Sequence, residues 1–351
     1  MRRVTLPAIC LIVLAAVTTA CSSGSDASAT PTFEPPPVTM TPSITPMPTP
    51  IPTGTVSQST TIAADNVADL SKASSARLDE PYSRLRWRAD GQAVFITTQQ
   101  SVLVLQATKD EITQVYSVAA PARVLDVAAD GKAAVMNDLQ TVTIVDTGPD
   151  SVLQTLKIDG TVRSATFSPD SKVLAVSLED RIAAQLWDVD KGTMAQEVTG
   201  FETAAPVYSV QFDSNGKNLI WLARAKAQVQ DLITGELGPA VSEADFFSAV
   251  ALSPAEKVLA TTGGGVLTLW DLANGDNLDV YDLPAAASNL AYTPDGKLLF
   301  VATGTGVIAL QLPLLEPVTT MPGNFRAVAV SPDGDGLATI SEDGVVALYR
   351  P

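Results

Sequence analysis

The segment "SPDG" at residues 331–334 is the last of seven related turns. It follows "RADG" at 88–91, "AADG" at 128–131, "SPDS" at 168–171, "DSNG" at 213–216, "SPAE" at 253–256 and "TPDG" at 293–296. The third place holds Asp90, Asp130, Asp170, Asn215, Ala255, Asp295 and Asp333, at spacings of 40, 40, 45, 40, 40 and 38 residues. A period this even marks a repeat architecture.

The flanks of each turn carry the same pattern. Three residues before the third place stand Trp87, Val127, Phe167, Phe212, Leu252, Tyr292 and Val330. Five before it stand Leu85, Leu125, Ala165, Val210, Val250, Leu290 and Val328. Two apolar series two residues apart are one buried face of a strand. Four residues after the third place come Val94, Ala134, Leu174, Leu219, Leu259, Leu299 and Leu337, in a second strand. A third strand follows, as in "SVLVLQ", "VLTLWD" and "VVALYR", and a weaker fourth follows in every repeat but the last. Four antiparallel strands per ~42 residues, seven times over, predict an all-β fold, a seven-bladed β-propeller over 59–351. The final unit leaves "VVALYR" at an open edge, which invites aggregation. The spare segment "TTIAAD" at 60–65 is expected to pair with it as an N-terminal closing strand, with 66–70 a short turn of helix.

These repeats resemble the WD-repeat family across roughly residues 60–351. The likeness rests on Ser168-Pro169-Asp170, Ser331-Pro332-Asp333-Gly334, Leu186-Trp187-Asp188 and Leu269-Trp270-Asp271. Only two repeats keep Trp-Asp. None has the family's Gly-His pair, so its Asp–His–Ser/Thr–Trp hydrogen-bond chain is not expected. A divergent, bacterial-style repeat fits best.

Composition restricts function. The chain has 22 Lys and Arg against 38 Asp and Glu, a formal net charge of −16. Such a surface repels nucleic acid and anionic headgroups. There is no histidine, which excludes Ser-His-Asp and Cys-His nucleophile systems and His-ligated zinc. No catalytic residue, cofactor site or metal site is predicted. Asp188 with Asp190, and Asp333 with Asp335, are expected in hairpin turns. An EF-hand loop from Asp333 fails because Leu337 and Gly344 stand where ligands are needed. Gly263-Gly264-Gly265 is read as a turn between two strands, and Trp87, Trp187, Trp221 and Trp270 as packing between blades.

The start of the chain has a different character. Arg2 and Arg3, an apolar run over 4–17, and Thr18-Thr19-Ala20-Cys21 have the order of a secretory signal peptide. The cysteine after a small residue resembles the bacterial lipobox, although Thr18 stands where an aliphatic residue is usual. That resemblance implies removal of residues 1–20 and lipidation of Cys21. Cys10 is the other cysteine, so the propeller is expected to stand without disulfides. Residues 21–58 are rich in Ser, Thr and Pro and are expected to form a disordered linker. At ~3.1 Å per residue it spans on the order of 100 Å as a stalk.

One constellation stands out as a candidate site. Seven residues before the third place, where each innermost strand begins, are Ser83, Arg123, Arg163, Tyr208, Ser248, Ser288 and Arg326, with Tyr82, Phe247 and Phe325 beside them. In a closed ring these surround one mouth of the central channel. The arginines either bind an acidic peptide or protein ligand or pair with a carboxylate of a neighbouring blade, such as Asp126 or Asp245. The sequence therefore predicts a monomeric, lipid-anchored propeller facing outside the cytoplasm, acting as a protein-binding scaffold of the cell envelope. A propeller enzyme or ligand-binding protein with a carboxylate or metal site, and an accessory lipoprotein of envelope assembly, are the alternatives.

Overall fold

The computed structural model describes residues 61–351 except 200, 202–206, 214, 243–245 and 255–256. The leader, Cys21, the Ser/Thr/Pro-rich segment, Asp245 and the turn residue Ala255 lie outside the described residues. Within them, 28 strands form seven four-stranded antiparallel sheets. Six sheets are simple meanders, at 82–117, 123–157, 162–198, 207–242, 249–282 and 287–322, and are blades 1 to 6. The seventh joins Phe325–Val330, Leu337–Ser341 and Val345–Arg350 to Ser71–Arg77 from the other end of the chain.

The ring is held by its junctions. Among the described residues there are seven buried apolar clusters, one between each pair of successive blades, the pair of blades 7 and 1 included. The second-strand series Val94, Ala134, Leu174, Leu219, Leu259, Leu299 and Leu337 is at 0% exposure in every blade. Each such leucine contributes roughly 1.5–3 kcal/mol of burial, so the period in the sequence is the period of the cores. The turns are fixed by their third residue: Asp130, Asp170, Asn215 and Asp295 each accept from the backbone N–H two residues on, at 2.9–3.2 Å. Asp188 does the same for Asp190 and Lys191, and Gly264 and Gly265 turn with φ of 60° and 85°. The acid pairs and the glycine triplet thus serve turns, as their spacing suggested.

The closure corrects one expectation. The partner of Val345–Arg350 is Ser71–Arg77, in a register running from Ser71 opposite Arg350 to Arg77 opposite Val345. Residues 61–65 of "TTIAAD" are not a strand. Instead the Ile62 N–H donates to the Gly334 carbonyl at 2.7 Å, and Ile62 and Val67 are buried against Leu298, Phe300, Val328 and Leu337 at the junction of blades 6 and 7. Val67–Asp69 is the short helical turn expected there. The outermost strand of a blade is largely solvent-facing, so "SKASSAR" needs no apolar alternation. The apolarity of the preceding segment serves docking instead.

Side chains fasten the junction of blades 7 and 1. The Trp87 indole N–H donates across it to the Ala329 carbonyl at 3.0 Å. Arg350 joins Asp335 to the Gly91 carbonyl and lies over the Trp87 ring at 5.9 Å. Trp187, Trp221 and Trp270 likewise pack between blades, and Trp270 Nε1 donates to Thr261 Oγ1 at 2.8 Å.

Ser74 in the closing strand is 2% exposed, and its hydroxyl has no hydrogen-bond partner among the described residues. A buried, unpaired hydroxyl costs free energy. Ser74→Ala is therefore expected to raise the melting temperature, corresponding to roughly 0.5–1.5 kcal/mol, whereas Ser74→Lys lowers it. Calorimetry of the two variants checks this.

Candidate functional site

The inner strands begin on one face of the ring, and their first residues adopt an unusual backbone. In blades 1, 3, 4, 6 and 7 the pairing register shifts at this position: between Tyr82 and Arg84, Val162 and Ser164, Val207 and Ser209, Ala287 and Asn289, and Phe325 and Ala327. A bulge leaves one residue unpaired and re-aims its side chain. In blades 3, 4, 6 and 7 the bulged residues are Arg163, Tyr208, Ser288 and Arg326. Blade 2 shifts later, between Val124 and Asp126, so Arg123 stays paired opposite Met136.

This difference decides what each arginine does. Arg163 meets Glu179 at 3.5 Å, and Arg326 makes a two-pronged pair with Glu342. Both acids lie sixteen residues on, at the end of the same blade's second strand, so the pairs are within a blade rather than between blades. The Arg326 guanidinium holds the Glu342 carboxyl below its ordinary range, and Glu342 raises Arg326 in turn. The place matching Glu179 and Glu342 in blade 2 is Leu139, which is 57% exposed. Arg123 meets only the Met136 sulfur, at 3.8 Å, and forms no ion pair among the described residues.

Aromatic neighbours extend the pattern. Tyr208 is half exposed and lies under the Arg163 guanidinium at 5.4 Å. Arg224, at the Glu179-equivalent place of blade 4, bonds through its carbonyl to the Phe247 N–H at 3.0 Å, and Phe246 beside it is 57% exposed. Leu139, Arg123, Arg163, Tyr208, Arg224 and Phe246 therefore follow one another across blades 2 to 5.

Two predicted residues belong to the interior. Phe325 is 8% exposed and packs between blades 6 and 7, and Phe247 packs partly between blades 4 and 5. A large ring after the glycine at 323 fills the junction, which outweighs display on the face. Tyr82 lies at the channel mouth with Ser288 and Arg326. Burial pushes its phenol up to about 12, opposed by Arg326 and assisted by Glu342.

The central channel was expected, but the residues that line it were not singled out. Its lining follows inner-strand positions four and six before each turn's third residue, which alternate with the apolar face. The former series is Arg86, Asp126, Thr166, Gln211, Ala251, Ala291 and Ala329, and the latter runs Arg84, Val124, Ser164, Ser209, Ala249, Asn289 and Ala327. Blades 1 to 4 thus face the axis mainly with polar groups, Val124 being buried between blades 1 and 2 instead, and blades 5 to 7 mainly with alanine. A cavity of about 830 Å³ results, with Arg84, Arg86 and Gln211 on one side and Ala251, Ala291 and Ala329 on the other. The Asp126 side chain, 0% exposed, accepts from Arg86 at 3.1 Å, Thr166 at 3.3 Å and the Phe167 N–H at 2.8 Å, with Arg84 3.5 Å away. Asp126 thus partners blade 1 arginines rather than the mouth arginines. The same seven-fold comparison that exposed the mouth series would have exposed these two.

The geometry and the repeat agree with known proteins. Residues 315–350 match the family model described as "WD domain, G-beta repeat". A 94-residue stretch is 33% identical to the small ribosomal subunit protein RACK1 of Brassica napus; it covers 26% of this chain and 29% of that protein, so the chain matches under a third of the relative's length. Among solved structures, a chain in the crystal structure of the mitotic checkpoint complex superposes with a TM-score of 0.64 at 18% identity, covering 80% of this chain and 90% of the other. The described residues form a seven-bladed β-propeller, and its last blade carries the WD-repeat match.

The raised Tyr82 phenol has a pH consequence. Its folded value lies above its unfolded value of 10.0, so the burial contribution is whole below pH 10 and is lost as pH rises towards 12. Difference titration at 295 nm of the wild type against Tyr82→Phe is expected to show one phenol ionising near 12.

Proposed function

We propose that this propeller is a non-enzymatic protein-binding scaffold whose recognition surface is the cationic and aromatic arc over blades 2 to 5. The observation that carries this reading is the place of Arg123. In a chain of net charge −16, it has no carboxylate partner among the described residues and stands beside an exposed leucine, where Arg163 and Arg326 have a glutamate. Arginine next to exposed aromatic and aliphatic groups is the composition of interface anchors, and local positive charge steers an acidic partner to that patch. The ligand class is an acidic peptide segment carrying an apolar or aromatic side chain.

The leader and linker supply the location. Cys21 carries the lipid, the Ser/Thr/Pro segment spaces the ring from the membrane, and the face acts outside the cytoplasm as part of the cell envelope. The propeller works as a monomer, with the membrane reached through the lipid rather than a basic surface.

Two experiments test the reading. Fluorescence anisotropy with a labelled Glu/Asp-rich peptide is expected to show binding that falls at least about tenfold in Arg123→Glu/Arg163→Glu, since unlike charges across an interface become like charges. Equal affinity in both proteins refutes the assignment of the face. Cys21→Ser is expected to release the protein from the membrane fraction and abolish palmitate labelling; retention at the membrane refutes the anchor.

A further inference from the structure

The channel has a chemistry of its own, separate from the outer face. Arg84 and Arg86 lie two residues apart on the same side of their strand, so both guanidiniums reach towards the axis. A recess of about 220 Å³ is lined by Arg84, Arg86, Thr166 and Gln211, with Phe167 and Phe212 closing it. It shares both arginines and Gln211 with the larger cavity. Arg84 spends Nη1 on Thr166 at 3.0 Å and on Asp126, and Arg86 spends Nη2 on Asp126. Their remaining N–H groups have no acceptor among the described residues.

The unused guanidinium N–H groups specify the occupant. Arg84 and Arg86 already face two carboxylates: Asp126 directly, and Asp213, which lines the recess and accepts from Asn218 at 3.1 and 2.6 Å. With the two cations balanced, the free N–H forks suit a single carboxylate and disfavour a dianion. On the side of blades 5 to 7, Ala251, Ala291 and Ala329 leave a largely apolar space bounded by Val250, Leu290 and Val328, with Ser288 and Asn289 as its polar groups. A cavity with an apolar wall and a few convergent polar groups is the general form of a small-ligand site.

We propose that the channel binds a monoanionic carboxylate with an apolar body, the carboxylate bridging Arg84 and Arg86 and the body lying against the alanines of blades 5 to 7. The planar fork of each guanidinium suits a carboxylate. The group belongs to a free organic acid or to the C-terminus of an extended peptide, and both present the same chemistry to the arginines.

Calorimetric titration of the full chain with hexanoate and benzoate, beside their neutral amides, tests this. Binding of the acids and at least about tenfold weaker binding of the amides is expected, since the charge-assisted pairs are lost. Asp126→Asn keeps an acceptor for the Phe167 N–H and frees both arginines, so it is expected to tighten carboxylate binding several-fold. Arg86→Gln/Asp126→Asn, which removes one cation without stranding a buried acid, is expected to weaken it about tenfold relative to Asp126→Asn alone. Equal affinity for acid and amide, inorganic phosphate binding more tightly than either acid, or indifference to both variants overturns the proposal. A short apolar peptide with a free C-terminus is compared with its amidated form: preference for the free acid supports the peptide source, and preference confined to the small acids supports the free ligand. Because Arg123 and Arg163 lie outside the recess, their charge reversal leaves carboxylate binding unchanged, so failure of the outer face and failure of the channel site are read separately.

Discussion

Everything in this molecule depends on the pairing of Ser71–Arg77 with Val345–Arg350. A propeller blade has no core of its own; each sheet buries its faces only against its neighbours. Six junctions would leave the cores of the first and last blades half uncovered, and a free strand edge beside them. Sharing the seventh sheet between the two ends of the chain removes both faults. Trp87, Arg350 and Asp335 reinforce the junction where the ends meet, and Ile62 with Val67 covers the junction beside it. Chain entropy opposes pairing residues 268 to 279 apart in sequence, but that cost grows only logarithmically with length.

A rigid ring fixes what the inner strands can display. Bulges at their first residues turn Arg163, Tyr208 and Arg326 onto one face, and the regular alternation that follows turns Arg84, Arg86 and Asp126 to the axis. Positive charge is scarce in this chain, and much of it on the inner strands is placed in these two settings. On the face, Glu179 and Glu342 temper it while Arg123 remains without an acid. In the channel, two buried carboxylates, Asp126 and Asp213, temper two arginines. Solvent screens the first setting more than the second, so the outer face favours rapid encounter and the channel favours selection by charge.

The fold was legible because its signal repeats. One alternating strand is ambiguous, but seven copies of Leu174-like positions at near-constant spacing leave little choice of architecture, and all seven are fully buried. The closing strand was misplaced because apolarity marks burial rather than pairing. Ser71–Arg77 pairs through its backbone with small and polar side chains, whereas Ile62 is apolar because it docks. The mouth arginines were legible as a series, but not their partners: Glu179 and Glu342 lie on a different strand, and the blade 2 bulge that keeps Arg123 apart is a backbone feature that residue types do not reveal. Phe325 misled for a similar reason, since a position at the rim of one blade is the floor of the next junction.

The closure is tested most directly by a cross-link. Ser75 lies opposite Ala347 across the closing pair. The full chain with Cys10 and Cys21 replaced by serine has no other thiol, so Ser75→Cys/Ala347→Cys can form one disulfide only. Mild oxidation is expected to join the two ends in the folded protein, with a raised melting temperature. Failure of that pair to form, with ready formation between Ala63→Cys and Ala347→Cys instead, contradicts the closure described here.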